Sequence, residues 1–366
     1  MKKLLIITNI PSPYRVDFFE YLQKNIDDLE IHILFQSGNE GSFRKWDGGE
    51  ERLKNVHTLK SKVIRATGKD ITEKFIPSGC GAEIELISPD IVVSMEYNMA
   101  ALTAKHWCNK NHIPYISWSD GTRYAERNIK FYQKIFRKYI VKKSSAFIAS
   151  STKTRENQIY LGADPKKIFI SELAIDIRRY SKAGNNYRHN NVLVAVGGLI
   201  ERKGLDLLLN ALALIKNEQW ELHLVGEGPE KGKLEEQAAE LGISDKVKFK
   251  GFMSGEDLTA EYENSGIFVF PTREDCFGLV TLEAMCCGLP VIASKYADSS
   301  YDLIEEGRTG FIVDPYNSKE FSEKILKLLS DEELAGKMSR AGKIKSYEFG
   351  FEKTSVGFMN AVRTVV

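Results

Sequence analysis

A chain of 366 residues that is 43% hydrophobic and 28% charged is long enough for two globular domains and too apolar for disorder. Its formal net charge of +1 supplies no global field for nucleic acid, which is not an expected partner. The five cysteines (Cys80, Cys108, Cys276, Cys286 and Cys287) are odd in number and lack Cys-x-x-Cys spacing, so they read as reduced, buried thiols of a cytoplasmic protein.

The opening Met-Lys-Lys-Leu-Leu-Ile-Ile-Thr begins like a signal peptide but reaches Asn9 and Pro11 after only four strongly apolar residues, and reads instead as a first strand. No apolar run approaches the ~18 residues needed to span a bilayer. Strand-like runs recur at 4–8, 31–35, 91–94, 115–118, 146–149 and 168–170 with helical patterns between most of them, which predicts one doubly wound parallel sheet. After the first run, Asn9-Ile-Pro-Ser-Pro-Tyr-Arg15 is a rigid turn at the sheet's carboxyl edge, leading into a helix that carries Val16, Phe19 and Leu22. The Arg15 guanidinium suits a phosphate at that edge, and equally suits a surface position after a turn.

The polar stretch 38–72, with Gly48-Gly49 and mixed charges, predicts a long, mobile loop region that could serve as a lid. Glu96 and Asp120 fall just past strand ends, at the crevice a sheet edge forms, and also fit as caps of the helices that follow. Residues 129–143 differ in kind: Lys130, Lys134, Lys138 and Lys142 recur every four residues, joined by Arg137 and Lys143, and no acid interrupts. Tyr132, Ile135, Phe136, Tyr139 and Ile140 are expected on the opposite face of this basic amphipathic helix. Two readings stand side by side. One is reversible contact with an anionic leaflet, each basic residue contributing about 1 kcal/mol, which would place the protein peripherally on the inner face of the membrane. The other is a core-packed helix with a solvated basic face.

The pattern lapses over 176–191, whose polar composition marks a join. Strand-like runs then resume at 192–196, 221–225, 247–250, 267–270, 291–293 and 311–313. The chain therefore divides into a first domain over 1–178, a linker over 179–191 and a second domain over 192–348, with helical apolar spacing again at 349–366. Gly197-Gly-Leu-Ile-Glu-Arg-Lys-Gly204 opens a helix with Leu205, Leu208 and Leu209, but no Gly-Lys-Ser or Gly-Lys-Thr occurs, which excludes a P-loop. The glycines of Gly226-Glu-Gly-Pro-Glu-Lys-Gly232 lack dinucleotide-fingerprint spacing.

The organising stretch is 271–290, which lies between two apolar runs, so about 278–287 is the crossover helix of a βαβ unit. A helix start at the carboxyl end of a strand favours an anion. Asp275 and Glu283, with seven residues between them, place one carboxylate at the mouth and one along the crevice wall; either alone would be an ordinary first-turn acid. Cys276 has no His near it in sequence and fits a packed turn residue rather than a nucleophile.

Taken whole, an acid, seven residues and a Glu built around Phe-Gly-Leu-Val, then Glu-Ala-Met and Gly-Leu-Pro-Val, resembles the donor-site motif of retaining glycosyltransferases of family four. The resemblance implies the α/β GT-B fold, two Rossmann-like domains with doubly wound parallel sheets facing a central cleft. It implies Asp275 on hydroxyls of the transferred sugar, Glu283 on the ribose, and the N–H groups around Gly278 and Leu279, flanked by Phe277 and Val280, on the sugar and diphosphate. The segment 197–204 is similar to the family's Gly-Arg-Leu-x-x-x-Lys-Gly, whose Arg and Lys clasp the diphosphate; Lys203 matches, Gly198 stands at the Arg position, and Arg202 is a candidate replacement. Gly226 matches the family's Val-Gly-x-Gly-Pro, Met253 the segment at the nucleotide base, and 302–314 the Leu-Ile-x-x-Gly-x-x-Gly-Phe close of the sheet. The match is dense over 192–315 and thin before it, where relatives carry a glycine-rich first loop and a His that this chain lacks. In the family the first domain receives the acceptor, which makes Arg15, Asp120 and Glu96 the acceptor-side candidates, and the last helix crosses back onto that domain.

The implied activity is retaining hexosyl transfer from a UDP- or GDP-sugar to a glycan or lipid-linked acceptor in cell-surface polysaccharide synthesis. Asp275 and Lys203 would be its catalytic residues. No cofactor and no metal are expected, because no Asp-x-Asp and no metal-ligand spacing of His, Cys and carboxylates occurs. Two other readings share the fold: a sugar-nucleotide epimerase, and a catalytically silent nucleotide-sugar-binding subunit, the latter motivated by Gly198.

Overall fold

The computed structural model describes residues 1–38, 48–67, 71–181 and 187–366. Two compact units emerge, one formed by Met1–Ile175 with Phe351–Val366 and the other by Asp176–Gly350. The division therefore falls at Ile175 rather than at 178, and part of the expected linker, 182–186, lies outside the described residues.

The first unit contains β1 (Lys2–Thr8), β2 (Leu29–Phe35), β3 (Val56–Thr58), β4 (Ser61–Thr67), β5 (Ile71–Pro77), β6 (Ile91–Met95), β7 (Tyr115–Ser119), β8 (Ala146–Ala149) and β9 (Ile168–Ile170). Seven of these make one sheet in the order β3-β2-β1-β6-β7-β8-β9, and all of its pairs are parallel. A parallel sheet is covered on both faces, so successive residues of a strand are buried in opposite directions rather than alternating with polar ones. In β1, Leu4 and Ile6 join Val93, Ile116 and Ile148 under Val16, Phe19 and Leu22, while Leu5 and Ile7 join Val92 and Tyr115 under Ile84, Ala104 and Ile140. The C-terminal helix Phe351–Arg363 belongs to this unit: Phe358 packs edge-on to Trp118 with ring centroids 5.4 Å apart, and Met359 and Val362 are buried beside it.

The stretch 38–72 is not one long loop. Residues 39–47 and 68–70 lie outside the described residues, but the rest holds a 3-10 turn at Glu50–Arg52, the edge strand β3, and the antiparallel hairpin β4–β5, paired from Ser61 opposite Pro77 to Thr67 opposite Ile71. Its strands are polar because they pair away from the main core, so they carry no contiguous apolar run to give them away.

The second unit contains β10 (Val192–Val196), β11 (Glu221–Val225), β12 (Val247–Gly251), β13 (Ile267–Phe270), β14 (Val291–Ser294) and β15 (Gly310–Val313), ordered β12-β11-β10-β13-β14-β15 and wholly parallel. Its core packs Leu193, Leu222, Leu224, Val269 and Ile292 against Leu208, Leu212, Phe321 and Ile325. Strand order reverses between β10 and β13, the position at which a parallel α/β sheet places a crevice at its carboxyl end. In the first unit the same reversal falls between β1 and β6.

Candidate active site

In the second unit the loops that leave β10 and β13 are tied together. Arg273 donates two parallel bonds to the Asp206 carboxylate at 2.7 and 2.6 Å, and the Arg273 N–H and Thr272 hydroxyl both bond the Arg202 carbonyl, at 2.8 and 3.0 Å. Gly226 lies so close beneath this layer that a Cβ there would sit 2.0 Å from the Gly197 carbonyl oxygen. Only glycine lets the turn after β11 approach the turn after β10 this closely.

This frame sets three charged groups side by side. The Asp275 Oδ2 accepts from Lys203 Nζ at 2.6 Å and from Arg202 Nη1 at 3.3 Å, while its Oδ1 accepts from the Phe277 N–H at 3.1 Å. Burial would push the Asp275 carboxyl up, but Lys203, then Arg202, and the bonds from Lys203 and Phe277 together hold it below the usual carboxylate range. The Asp275 backbone is fixed as well, bonded through its N–H to the Tyr296 carbonyl at 3.0 Å and through its carbonyl to the Asp298 N–H at 2.9 Å.

Three residues on, Gly278 caps the helix Leu279–Cys286 in the left-handed region at φ 74°, where a Cβ would meet the Phe270 ring at 2.6 Å. The helix start thus lies directly over the end of β13, and its first N–H groups, which have no intrahelical partners, open beside the Asp275 cluster. Leu279 and Val280 are partly exposed there, whereas Phe277 is buried. Lys203 Nζ stands 5.0 Å from the Phe270 ring centre, which adds a favourable contact for its charge.

Glu283 points elsewhere. Its carboxylate accepts from the Tyr262 hydroxyl at 3.0 Å and from the Tyr180 hydroxyl, and burial raises its pKa against the pull of those two bonds. Gly198 lies in the β10 loop and Met253 just beyond β12, where neighbouring Phe252 is 47% exposed. Tyr180, Tyr262, Arg273 and Asp206 escape a reading of the sequence, since nothing in their local pattern couples them to residues up to about a hundred positions away.

The first unit brings its three candidates together. Arg15, only 7% exposed, donates to the Asp120 carboxylate at 2.6 Å, and the Asp120 N–H donates to Glu96 at 3.3 Å; Ser150 also bonds Asp120. The surface reading of Arg15 is therefore corrected. So is the capping role for Glu96, because Asn98 caps the helix Met99–Asn111 through its bond to the Ala101 N–H at 3.0 Å. Glu96 sits at φ 61°, uncommon for a side chain of this size. Burial and then the Asp120 carboxylate push its pKa up to about 8, with Arg15 pulling the other way.

The basic helix spans Phe131–Lys142, and its faces differ from the expected division. Ile140 and Val141 are buried, but Phe131, Tyr132, Ile135 and Tyr139 are 78%, 64%, 54% and 43% exposed. At about 100° per residue these apolar side chains fall on the same arc as Lys134, Lys138 and Lys142, not opposite them. Arg137 is not part of the free basic face, since it pairs with Glu126 at 2.7 Å.

Cys80, Cys108, Cys286 and Cys287 are buried free thiols and Cys276 is half-buried. Burial pushes the Cys80 thiol up to about 11 and Cys286 up to about 12. Among the described residues no group of three or more His, Cys, Asp or Glu could hold a metal ion, and no helix is long and apolar enough to cross a membrane.

Residues 176–345 match the family described as glycosyl transferases group 1. An uncharacterized glycosyltransferase of Methanocaldococcus jannaschii is 25% identical over 352 residues, spanning 92% of this chain and 91% of its own length. The mannosylfructose-phosphate synthase of Agrobacterium fabrum is 31% identical over 165 residues, 42% of this chain and 36% of that protein. Among solved structures, Anabaena HepE in complex with UDP and glucose superposes with a TM-score of 0.76 at 19% identity, covering all of both chains.

Proposed function

We propose, for a chain that is a group 1 glycosyltransferase of GT-B fold, that its second unit binds a nucleoside-diphosphate sugar at the switch point between β10 and β13 and that transfer retains anomeric configuration. The observation that carries this reading is the cluster of Lys203, Arg202 and Asp275 beside the helix start at Gly278. Lys203 and Arg202 would take the diphosphate, Asp275 the sugar hydroxyls, and the N–H groups of Leu279 and Val280 the remaining phosphate charge. Glu283, held by Tyr262 and Tyr180, would meet the ribose, and Gly226 and Met253 would line the nucleotide. UDP or GDP is the leaving group this arrangement favours; that the structural neighbour was solved with UDP and glucose supports the first of the two.

Preorganised cations and N–H donors stabilise charge as it develops on the leaving phosphate. The bond from the anomeric carbon to the phosphate oxygen breaks, the acceptor oxygen bonds to that carbon on the same face, and the acceptor's proton passes to the leaving phosphate oxygen. Arg15, Asp120 and Glu96 in the first unit would serve a glycan or lipid-linked acceptor. We assign no cofactor or metal to the reaction, and we place it in cell-surface polysaccharide synthesis with membrane contact through the helix Phe131–Lys142.

The test is nucleoside diphosphate release from a panel of UDP- and GDP-sugars, with and without lipid-linked acceptors, for the protein beside Asp275→Ala and Lys203→Ala. Release from one donor should fall by about a hundredfold or more in both variants. Release undiminished by either substitution would overturn the assigned roles. Donor binding with no release under any acceptor would favour the silent subunit, the reading that Gly198 supports.

A further inference from the structure

The first unit holds a cavity of about 320 Å³ that the donor and acceptor assignments leave unused. Four cations line it, Arg123, Arg127, Lys134 and Lys138, together with Phe131 and Ile135 from the basic helix. Its volume equals that of roughly ten waters, enough for a phosphodiester and the start of an attached chain. The one carboxylate in its wall, Glu126, is already taken by Arg137 at 2.7 Å and by the Asn157 side-chain amide at 3.0 Å. Among the described residues no carboxylate lies within ion-pair distance of Lys134 or Lys138.

Two of the cations are oriented in advance. The Arg123 guanidinium lies 4.4 Å from the centre of the Tyr160 ring and that of Arg127 lies 3.9 Å from the Tyr124 ring, so little of their freedom remains to be lost on binding. The cavity opens beside an arc on which exposed apolar side chains and lysines share one surface, Phe131, Tyr132, Ile135 and Tyr139 among Lys134, Lys138 and Lys142. Apolar rings in the midst of cations fit the boundary between lipid headgroups and acyl chains.

We propose that this cavity binds the phosphate of an anionic membrane lipid while Phe131, Tyr132, Ile135 and Tyr139 seat among the headgroups. The inference rests on the membrane contact proposed above and gives it a specific site. The occupant is a bilayer lipid rather than free phosphate, because the exposed rings would have no role toward an inorganic ion.

The experiment is vesicle flotation of the full chain with phosphatidylcholine alone and with added phosphatidylglycerol. The protein should float with phosphatidylglycerol vesicles and remain unbound with phosphatidylcholine. Lys134→Gln with Lys138→Gln should lower partitioning about twenty-five-fold, the product of about fivefold for each lysine. Lys142→Gln with Lys143→Gln, which removes the same charge outside the cavity, should lower it distinctly less. Phe131→Ser with Ile135→Ser should also release the protein, and inorganic phosphate should not. An unchanged melting temperature certifies the fold of each variant.

Equal losses for the two lysine pairs would overturn the cavity in favour of diffuse attraction. Equal binding to phosphatidylcholine, displacement by inorganic phosphate, or binding to duplex DNA as tight as to vesicles would overturn it too. Nucleoside diphosphate release with a water-soluble acceptor separates this inference from the transferase reading: loss of flotation with release intact concerns the cavity alone, and absent release with flotation intact concerns the transferase alone.

Discussion

Gly198→Arg should strengthen donor binding. The position lies in the β10 loop, directly after Gly197, where an added Cβ would approach the Lys203 side chain at 3.5 Å. At Gly198 itself a Cβ would meet only the Glu227 carbonyl oxygen at 3.7 Å, an ordinary contact, and its φ is not in the left-handed region. A side chain therefore fits without moving the backbone. A charge-assisted bond from the new guanidinium to a phosphate is worth about 1.5–3 kcal/mol, and partial exposure of the neighbouring Arg202, 33% for its side chain, argues for the lower end. About tenfold tighter binding of the nucleoside diphosphate is the expected result, measured by titration calorimetry and as a lowered donor KM. If Arg202 now supplies the second cation, Arg202→Ala should cost about tenfold in the natural background and less beside Gly198→Arg, a coupling that a double-mutant cycle reads directly. Affinity unchanged in both single variants would refute the argument, since no second cation would then be needed at this diphosphate.

Two further outcomes follow from the titrating groups. Glu96 has its pKa raised from 4.5 to about 8, so between those values the folded state holds a proton that the unfolded state has released, and stability should fall as pH rises through that window. Glu96→Gln should flatten this slope in chemical denaturation across pH 5–8; an unchanged slope would remove Glu96 from the cause. Tyr262→Phe should strip one donor from the part-buried Glu283 carboxylate at a cost of about 1 kcal/mol, seen as a fall of about 2–4 °C in the melting temperature of the second unit, with no fall if the Tyr180 hydroxyl alone satisfies the carboxylate.

The strands were legible because parallel strands buried on both faces are contiguous apolar runs: 146–149, 192–196 and 267–270 coincide with β8, β10 and β13. The hairpin β4–β5 was not, because its stability is a matter of pairing between two polar segments, and pairing leaves no local trace in either. The basic helix shows a subtler limit. A period of four for the lysines is visible, but whether the rings lie opposite or beside them depends on rotations of a few tens of degrees and on which side the sheet covers. At the site, the glycosyltransferase resemblance picked out Asp275 and Lys203, whose 72-residue separation hides the 2.6 Å bond between them. The tyrosines that hold Glu283 and the left-handed turn at Glu96 arise only from tertiary packing, which motif spacing does not encode.

The first unit is closed by residues that are translated only after the whole of the second. Phe358, Met359 and Val362 complete a core begun at Leu4, and the whole of the second unit is translated between them. The uninterrupted second unit has every residue it needs by Gly350, while the first still lacks the cover over Trp118 and Phe18. Order of synthesis and order of completion are thus reversed, and the nascent first unit must wait with an apolar face uncovered for the length of an entire domain.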